Sequence, residues 1–296
     1  MAAVMSSVEP VNLTQWVGRR EQASDVIAPT PATALAATLD RQATSWLTGD
    51  RLPELWHWLY FLPMHAQAQL GPDGHPKRGG FLPPVPLPRR MWAGSRIEFR
   101  EPLAIGEAVL RRSTVADLSE KKGRSGTLVF VRVRHEILHE TSGISGSRAA
   151  IIEEHDIVYR DLPKPGDAAA PGVTAPQAQF ERTITPSPVL LFRYSALTFN
   201  PHRIHYDLRY CREEEGYPGL VVHGPLQATL LLDLLHRAHP QRRVKRFEFK
   251  ALRPVFDTAP FALCGQLFDD GRAARLWTRD AQGFMAMDAT AELAEE

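Results

Sequence analysis

Residues 225–239, Pro-Leu-Gln-Ala-Thr-Leu-Leu-Leu-Asp-Leu-Leu-His-Arg-Ala-His, constrain the fold more than any other stretch. Pro225 suits a helix's first turn, where its missing N–H costs nothing, and Pro240 stops the helix. Leu226, Leu230, Leu231, Leu232, Leu234 and Leu235 leave almost no polar face. A helix apolar nearly all round must be buried. Strand-like segments follow at 243–253, 261–269 and 273–293, the last with a turn at Ala281-Gln-Gly283. One buried helix beside a run of antiparallel strands implies a sheet curled around that helix.

The 296 residues suit one large domain or two smaller ones. Residues 161–178 are rich in Pro, Gly and Ala and poor in apolar bulk, the composition of a linker. They divide the chain into residues 1–160 and 179–296. The two parts echo one another: Arg96-Ile-Glu-Phe-Arg100 returns as Arg246-Phe-Glu-Phe-Lys250, each followed by a proline, a polar turn and a further strand. Duplication of one strand-rich unit accounts for this. In the first part, residues 29–47 read as a short helix with Thr30 as N-cap and Pro31 in the first turn. Residues 52–62 are strongly aromatic and read as core, subunit contact or one wall of a pocket. Residues 71–95 are dense in Pro, Gly and basic residues, which excludes helix and central strand up to Gly94 and suits a lid. In 127–138, Val129, Val131 and Val133 alternate with Arg132, Arg134 and Glu136, the period of a strand with one buried face. The basic cluster Ser119–Gly126 reads as a hairpin turn, and 146–158 as another strand. In the second part, a strand is expected at 179–184 and a helix capped by Ser187-Pro188 over 188–197.

A net charge of +1 implies neither a nucleic-acid nor an acidic membrane partner. Cys211 and Cys264 are too few for a disulfide framework or a zinc cluster. The first ten residues lack the basic and apolar regions of a leader, and no apolar run approaches the roughly 20 residues of a membrane span. A cytoplasmic protein is expected.

The chemistry is concentrated in Tyr194-Ser-Ala-Leu-Thr-Phe-Asn-Pro-His-Arg-Ile-His-Tyr-Asp207, followed by Val222-His-Gly-Pro-Leu226 at the helix start. Groups that move protons stand beside a helix N-terminus, which favours developing negative charge. This pattern resembles the MaoC-like double hot-dog (R)-specific enoyl-CoA hydratases. Their signature is D-x-N-P-x-H, followed by a helix opening with H-G. Asn200-Pro201, His205 and His223-Gly224 match it. The wording around Phe192–Asp207 is closest to the mesaconyl-C4-CoA and itaconyl-CoA hydratases and the mitochondrial 3-hydroxyacyl-thioester dehydratases. Two departures stand out. Thr198 occupies the place of the family's acidic residue, and His202-Arg203 is inserted before Ile204-His205.

The resemblance implies an α+β double hot-dog, two antiparallel sheets each curled around a helix, with the first unit degenerate. It implies a hydro-lyase acting on an acyl-CoA thioester, with no cofactor or metal, and pairing into a homodimer if the internal duplication does not satisfy it. Hydration needs a base for the attacking water, an acid for the α-carbon and donors for the enolate oxygen. His205 is assigned the proton transfers, since an imidazole pKa of about 6.5 suits both. Asn200 orients the water, and the Gly224 backbone N–H binds the thioester carbonyl. Tyr194, Thr198, His202 and His223 are further residues expected around the substrate, His223 by capping the helix or touching ligand. A substrate carboxylate calls for an arginine's fork, with Arg193, Arg203 and Arg253 as candidates; Arg89, Arg90 and the 242–246 cluster could meet phosphates. A short pocket ending in arginine favours a branched dicarboxylic enoyl-CoA such as mesaconyl-C4-CoA or itaconyl-CoA. An open apolar tunnel favours longer 3-hydroxyacyl thioesters. A hot-dog thioesterase and a non-catalytic acyl-CoA-binding module are the alternatives of other classes.

Overall fold

A computed structural model of the chain describes residues 12–42, 45–123, 126–140, 148–161 and 172–294. Most of the segment read as a linker, and the start of the expected strand at 146–158, lie outside these. The first part contains β1 (Arg20–Val26), α1 (Pro29–Thr38), β2 (Arg89–Phe99), β3 (Ala108–Gly123), β4 (Gly126–His139) and β5 (Ile151–Arg160). The second contains β6 (Phe180–Ile184), α2 (Pro188–Leu197), α3 (Leu208–Glu213), α4 (Gly224–Ala238), β7 (Val244–Ala251), β8 (Phe261–Phe268), β9 (Ala273–Arg279) and β10 (Met285–Leu293).

The strands order as β1-β3-β4-β5-β2-β7-β10-β9-β8-β6, antiparallel throughout. Read from its outer edge, each half has the same order: first strand, third, fourth, fifth, second. The two expected sheets are therefore joined into one. The seam is β2 against β7, the two echo strands, with Arg96 opposite Glu248, Ile97 opposite Phe247 and Glu98 opposite Arg246. The offset that carries Arg96 to Arg246 also carries Glu98 to Glu248. Each cross-strand Arg/Glu pair thus maps onto the other, and a local two-fold runs through Ile97 and Phe247. Opposite charges across the register favour this pairing.

The halves are filled differently. Every side chain of α4 from Leu226 to Leu235 is buried, and the helix packs on β6, β8, β9 and β10. Even Asp233 is inside, paired with Arg41 at 2.6 Å, Arg237 at 2.7 Å and Arg182 at 3.1 Å. In the first half α1 is shorter and packs on α2, while the aromatic segment 56–61 covers the strands. Trp58 meets Trp92 of β2 and Phe249 of β7 edge-on, and the Tyr60 hydroxyl donates to the Ala28 carbonyl at 2.6 Å.

Several local expectations need correction. The N-cap of α1 is Ala28, with Pro29 and Pro31 both in the first turn. The helix stops at Thr38, and Asp40 just beyond it takes a left-handed φ of 53°. Strand β2 begins at Arg89, directly after the last proline of the Pro-rich run, since every residue from there can donate to the ladder. Its Gly94 sits at a register shift where an added Cβ would lie 2.4 Å from the Phe249 carbonyl oxygen, so the glycine permits the close approach of β7. The basic segment 119–123 continues β3 and is not a turn. Edge strand β1, almost without apolar alternation, was not legible. Val129, Val131 and Val133 are buried as their alternation requires, beneath Val85 and Leu87 of the Pro-rich run.

Candidate active site

Ser187 caps α2 by accepting the Leu190 N–H at 3.2 Å. The helix delivers Tyr194 and Ser195 to the interior and ends at Thr198. The Thr198 hydroxyl donates to the Tyr194 carbonyl at 2.8 Å. That bond closes the helix and commits the Thr198 proton, so Thr198 itself does not replace the family's carboxylate. Phe199 turns the chain with φ 47°. The Asn200 side-chain oxygen then accepts the His202 N–H at 3.1 Å, an Asx turn that sets up the 3-10 turn Arg203–His205.

His205 is buried, and its Nδ1–H donates to the Val221 carbonyl at 2.7 Å. Nε2 is thereby left with its lone pair, the tautomer a base needs. Burial pulls its pKa down to about 4, against the opposing pull of the Val221 bond. Its ring stacks on His223 with centroids 3.6 Å apart, and His202 stands edge-on at 5.5 Å. His223 is the N-cap residue of α4, but its side chain makes no capping bond; its Nε2 pairs with the Ser195 hydroxyl at 2.8 Å, and its Nδ1 is buried without a partner. Burial also lowers the His202 and His223 pKa values. All three rings are neutral near pH 7.

The Pro-rich run docks on this motif. The Arg203 N–H donates to the Asp73 carbonyl at 2.9 Å, its guanidinium to the Pro72 carbonyl at 3.0 Å, and the His75 ring lies tilted against His202 with centroids 4.0 Å apart. Gly74, at φ +91°, lies so close that an added Cβ would fall 1.9 Å from the Pro201 carbonyl oxygen. Asp73, His75 and His202 bring three potential ligand atoms within 4.8 Å of one another, a spacing a cation could bridge. The Asp73–His75 hydrogen bond at 3.0 Å and the contact between the two tilted rings already account for it.

A cavity of about 280 Å³ lies between the halves. The second half contributes Tyr194, Thr198, Asn200 and Pro225 to its wall. His205 and His223 are not on that wall; His223 meets the wall residue Tyr194 edge-on at 5.1 Å. At Gly224, the first residue of α4, nothing lies within 4 Å of where a Cβ would be. The arginines singled out from sequence stand elsewhere. Arg193 is exposed, Arg203 is bound to Asp207 at 2.8 Å, Arg253 pairs with Asp280 at 3.3 Å, and Arg89 pairs with Glu215 at 2.9 Å.

The first half contributes most of the wall: its aromatic segment lines it, one of the roles read for residues 52–62, and the polar residues of β3, β4 and β5 are what sequence reasoning missed. Trp58, Phe61, Trp92 and Ile137 form apolar wall, and His57, Arg111, His135, Glu153 and His155 are polar wall. Glu153 is buried and accepts from His155 Nε2 at 2.6 Å, His57 Nε2 at 2.9 Å and Trp58 Nε1 at 3.1 Å. Burial alone would raise its pKa, but His155 and His57 overcome this and hold it well below the carboxylate range. One signal was available. His135 continues the Val129-Val131-Val133 alternation toward Ile137, a histidine in an apolar row, and the register sets Glu153 directly opposite it.

Residues 55–257 match the family model of hydroxyacyl-thioester dehydratase type 2. The chain belongs to that family. The mesaconyl-C(4)-CoA hydratase of Chloroflexus aurantiacus is 48% identical to this hydro-lyase over 280 residues, 94% of this chain and 96% of that protein. The mitochondrial hydroxyacyl-thioester dehydratase type 2 of Schizosaccharomyces pombe is 28% identical over 249 residues, 77% of this chain and 80% of its own. Among solved structures, a MaoC-like dehydratase superposes with a TM-score of 0.69 at 12% identity, covering 96% of this chain and all of that one. A Mycobacterium tuberculosis protein described as a double hotdog fold gives 0.58 at 15% identity, covering 94% of this chain and 96% of its own. The architecture of this dehydratase-family chain is the double hot-dog. No helix among its described residues is long and apolar enough to cross a membrane.

Proposed function

We propose that the protein adds water reversibly to the double bond of a short branched dicarboxylic enoyl-CoA of the mesaconyl-C4-CoA type. The observation that carries this is the 48% identity to a mesaconyl-C(4)-CoA hydratase along nearly the whole of both chains. The small cavity, with an arginine in its wall, supports a short charged acyl group over a long apolar one.

In this reading His205 Nε2 takes a proton from water as the oxygen bonds the β-carbon. The double-bond electrons move onto the thioester oxygen, and the imidazolium returns its proton to the α-carbon. Asn200 orients the water with its amide. The Gly224 N–H, at the positive end of α4, receives the enolate oxygen. Tyr194 and Thr198 shape the wall, and His202 and His223 hold the His205 ring in place. A second assignment of the proton transfer within the same reaction is favoured by Glu153, an ionised carboxylate that lines the cavity and contacts two histidines. The cytosol is the proposed compartment, supported by two buried free thiols, Cys211 and Cys264; pairing of whole chains into a homodimer is the proposed assembly.

The test is turnover by the purified protein, followed as loss of enoyl-thioester absorbance. Mesaconyl-C4-CoA is expected to be hydrated faster than crotonyl-CoA and far faster than a ten-carbon enoyl-CoA. Preference for the ten-carbon substrate would replace this reading with the long-chain dehydratase, and hydrolysis of the thioester with the thioesterase.

A further inference from the structure

We infer that Arg111 is the residue that selects an acyl group carrying a free carboxylate, so that the first half reads the substrate's charge. The inference rests on the function proposed above and names its specificity-determining residue. Arg111 lies on β3 and lines the cavity that Asn200, Thr198 and Tyr194 line from the other half. Its Nε is buried without a hydrogen-bond partner. Arg89 is the other arginine with a buried Nε of this kind, and it has the Glu215 carboxylate at 2.9 Å. Arg111 has no ion pair among the described residues, and its guanidinium rests on the face of Phe61, 5.2 Å from the ring centroid.

A half-buried cation with no hydrogen-bonded counter-ion is costly, and a protein interior keeps one where something compensates it; the carboxylates of Glu21, Glu153 and Asp25 act on Arg111 only from beyond ion-pair distance. Glu153, the cavity's own carboxylate, is already occupied by His57, His155 and Trp58. Arg111 thus has donors to spare in a planar fork that matches a carboxylate. A bound dicarboxylic thioester would supply a carboxylate in direct contact, which those three do not. An acyl group ending in a methyl would leave the guanidinium unpaired and desolvated. That asymmetry gives strong discrimination, because rejection then comes from an unsatisfied buried group and not from a lost contact alone.

The experiment compares wild type with Arg111→Met on mesaconyl-C4-CoA and on 3-methylcrotonyl-CoA, which has a methyl in place of the carboxylate. The variant is expected to lose on the order of 100-fold in kcat/KM for the first and to keep or gain activity on the second. Equal losses on both would overturn the assignment. Arg111→Lys, which keeps the charge without the fork, is expected to fall between them and covers the case in which the methionine variant does not fold. Calorimetry with succinyl-CoA and butyryl-CoA needs no turnover. Wild type should prefer succinyl-CoA and Arg111→Met should not, even if the hydratase reading fails. Equal binding of the two thioesters by wild type would sink the inference.

Discussion

The two halves share a strand order and differ in what fills them. In the second, α4 lays a leucine-rich surface on four strands, and its one buried charge, Asp233, is neutralised by three arginines. In the first, an aromatic segment covers the strands and leaves a cavity whose wall carries Arg111, His135, Glu153 and His155. The half without the motif holds a polar pocket where the other holds a packed helix. Duplication lets one copy hold a packed helix while the other holds a cavity, and residues of both halves line that cavity.

The largest expected effect tests which half holds the chemistry. His205→Gln should lower kcat/KM on the order of 1000-fold, the range of a lost acid–base group, with the melting temperature little changed. Glu153→Gln is the control. If it costs more than His205→Gln, proton transfer belongs to the first half and the comparison reverses. The pH profile sharpens this. A base needs its lone pair, and the His205 pKa is pulled down to about 4 by burial. Its contribution should be flat near neutrality and fall only as pH approaches 4. The same shift makes a stability prediction. The unfolded ring, at its ordinary 6.5, binds more protons than the folded one between those two values. Stability is therefore lost as pH falls from 6.5 toward 4. His75, also pulled to about 4 by burial and by Arg90, acts in the same direction. Denaturant melts across this range would check it.

Next in size, Asp233→Asn should cost about 2–3 kcal/mol in urea unfolding, the range for breaking a buried pair discounted for the partial exposure of its three arginines. The folded variant should keep its kcat/KM. A large kinetic loss would mean that the filled half does more than hold the fold. The smallest effect is at Gly224. Because an added Cβ meets nothing within 4 Å, Gly224→Ala should change stability by under about 0.5 kcal/mol. If the thioester passes this backbone closely, kcat/KM should still fall about tenfold. Unchanged kinetics would remove Gly224 from the site.

The sequence made the motif legible, because its parts are local. Asn200, His202 and His205 lie within one short stretch, and an Asx turn and a 3-10 turn bring them together. The helix after them was readable from its leucines. The cavity's polar wall was not, because His57, Arg111, His135 and Glu153 come from separate elements and meet only through strand register. Charge is dense near the motif, but the arginines there are exposed or already paired with Asp207 and Asp280. The Pro-rich run was readable as irregular. That Gly74 lets it lie against Pro201 was not, since the contact depends on a fold-wide approach of two backbones.

The seam between β2 and β7 carries a liability for the chain as it folds. Until those strands meet, each half-sheet presents an open inner edge of unpaired N–H and C=O groups, a template for any other extended chain. The edges are self-complementary by the local two-fold, so the partner each edge seeks can come from a neighbouring molecule with the same register. Two chains could exchange halves and form every hydrogen bond that one chain forms alone, the low-cost route to a swapped dimer. Refolding at high concentration should therefore select between closure and exchange, with dilution favouring closure.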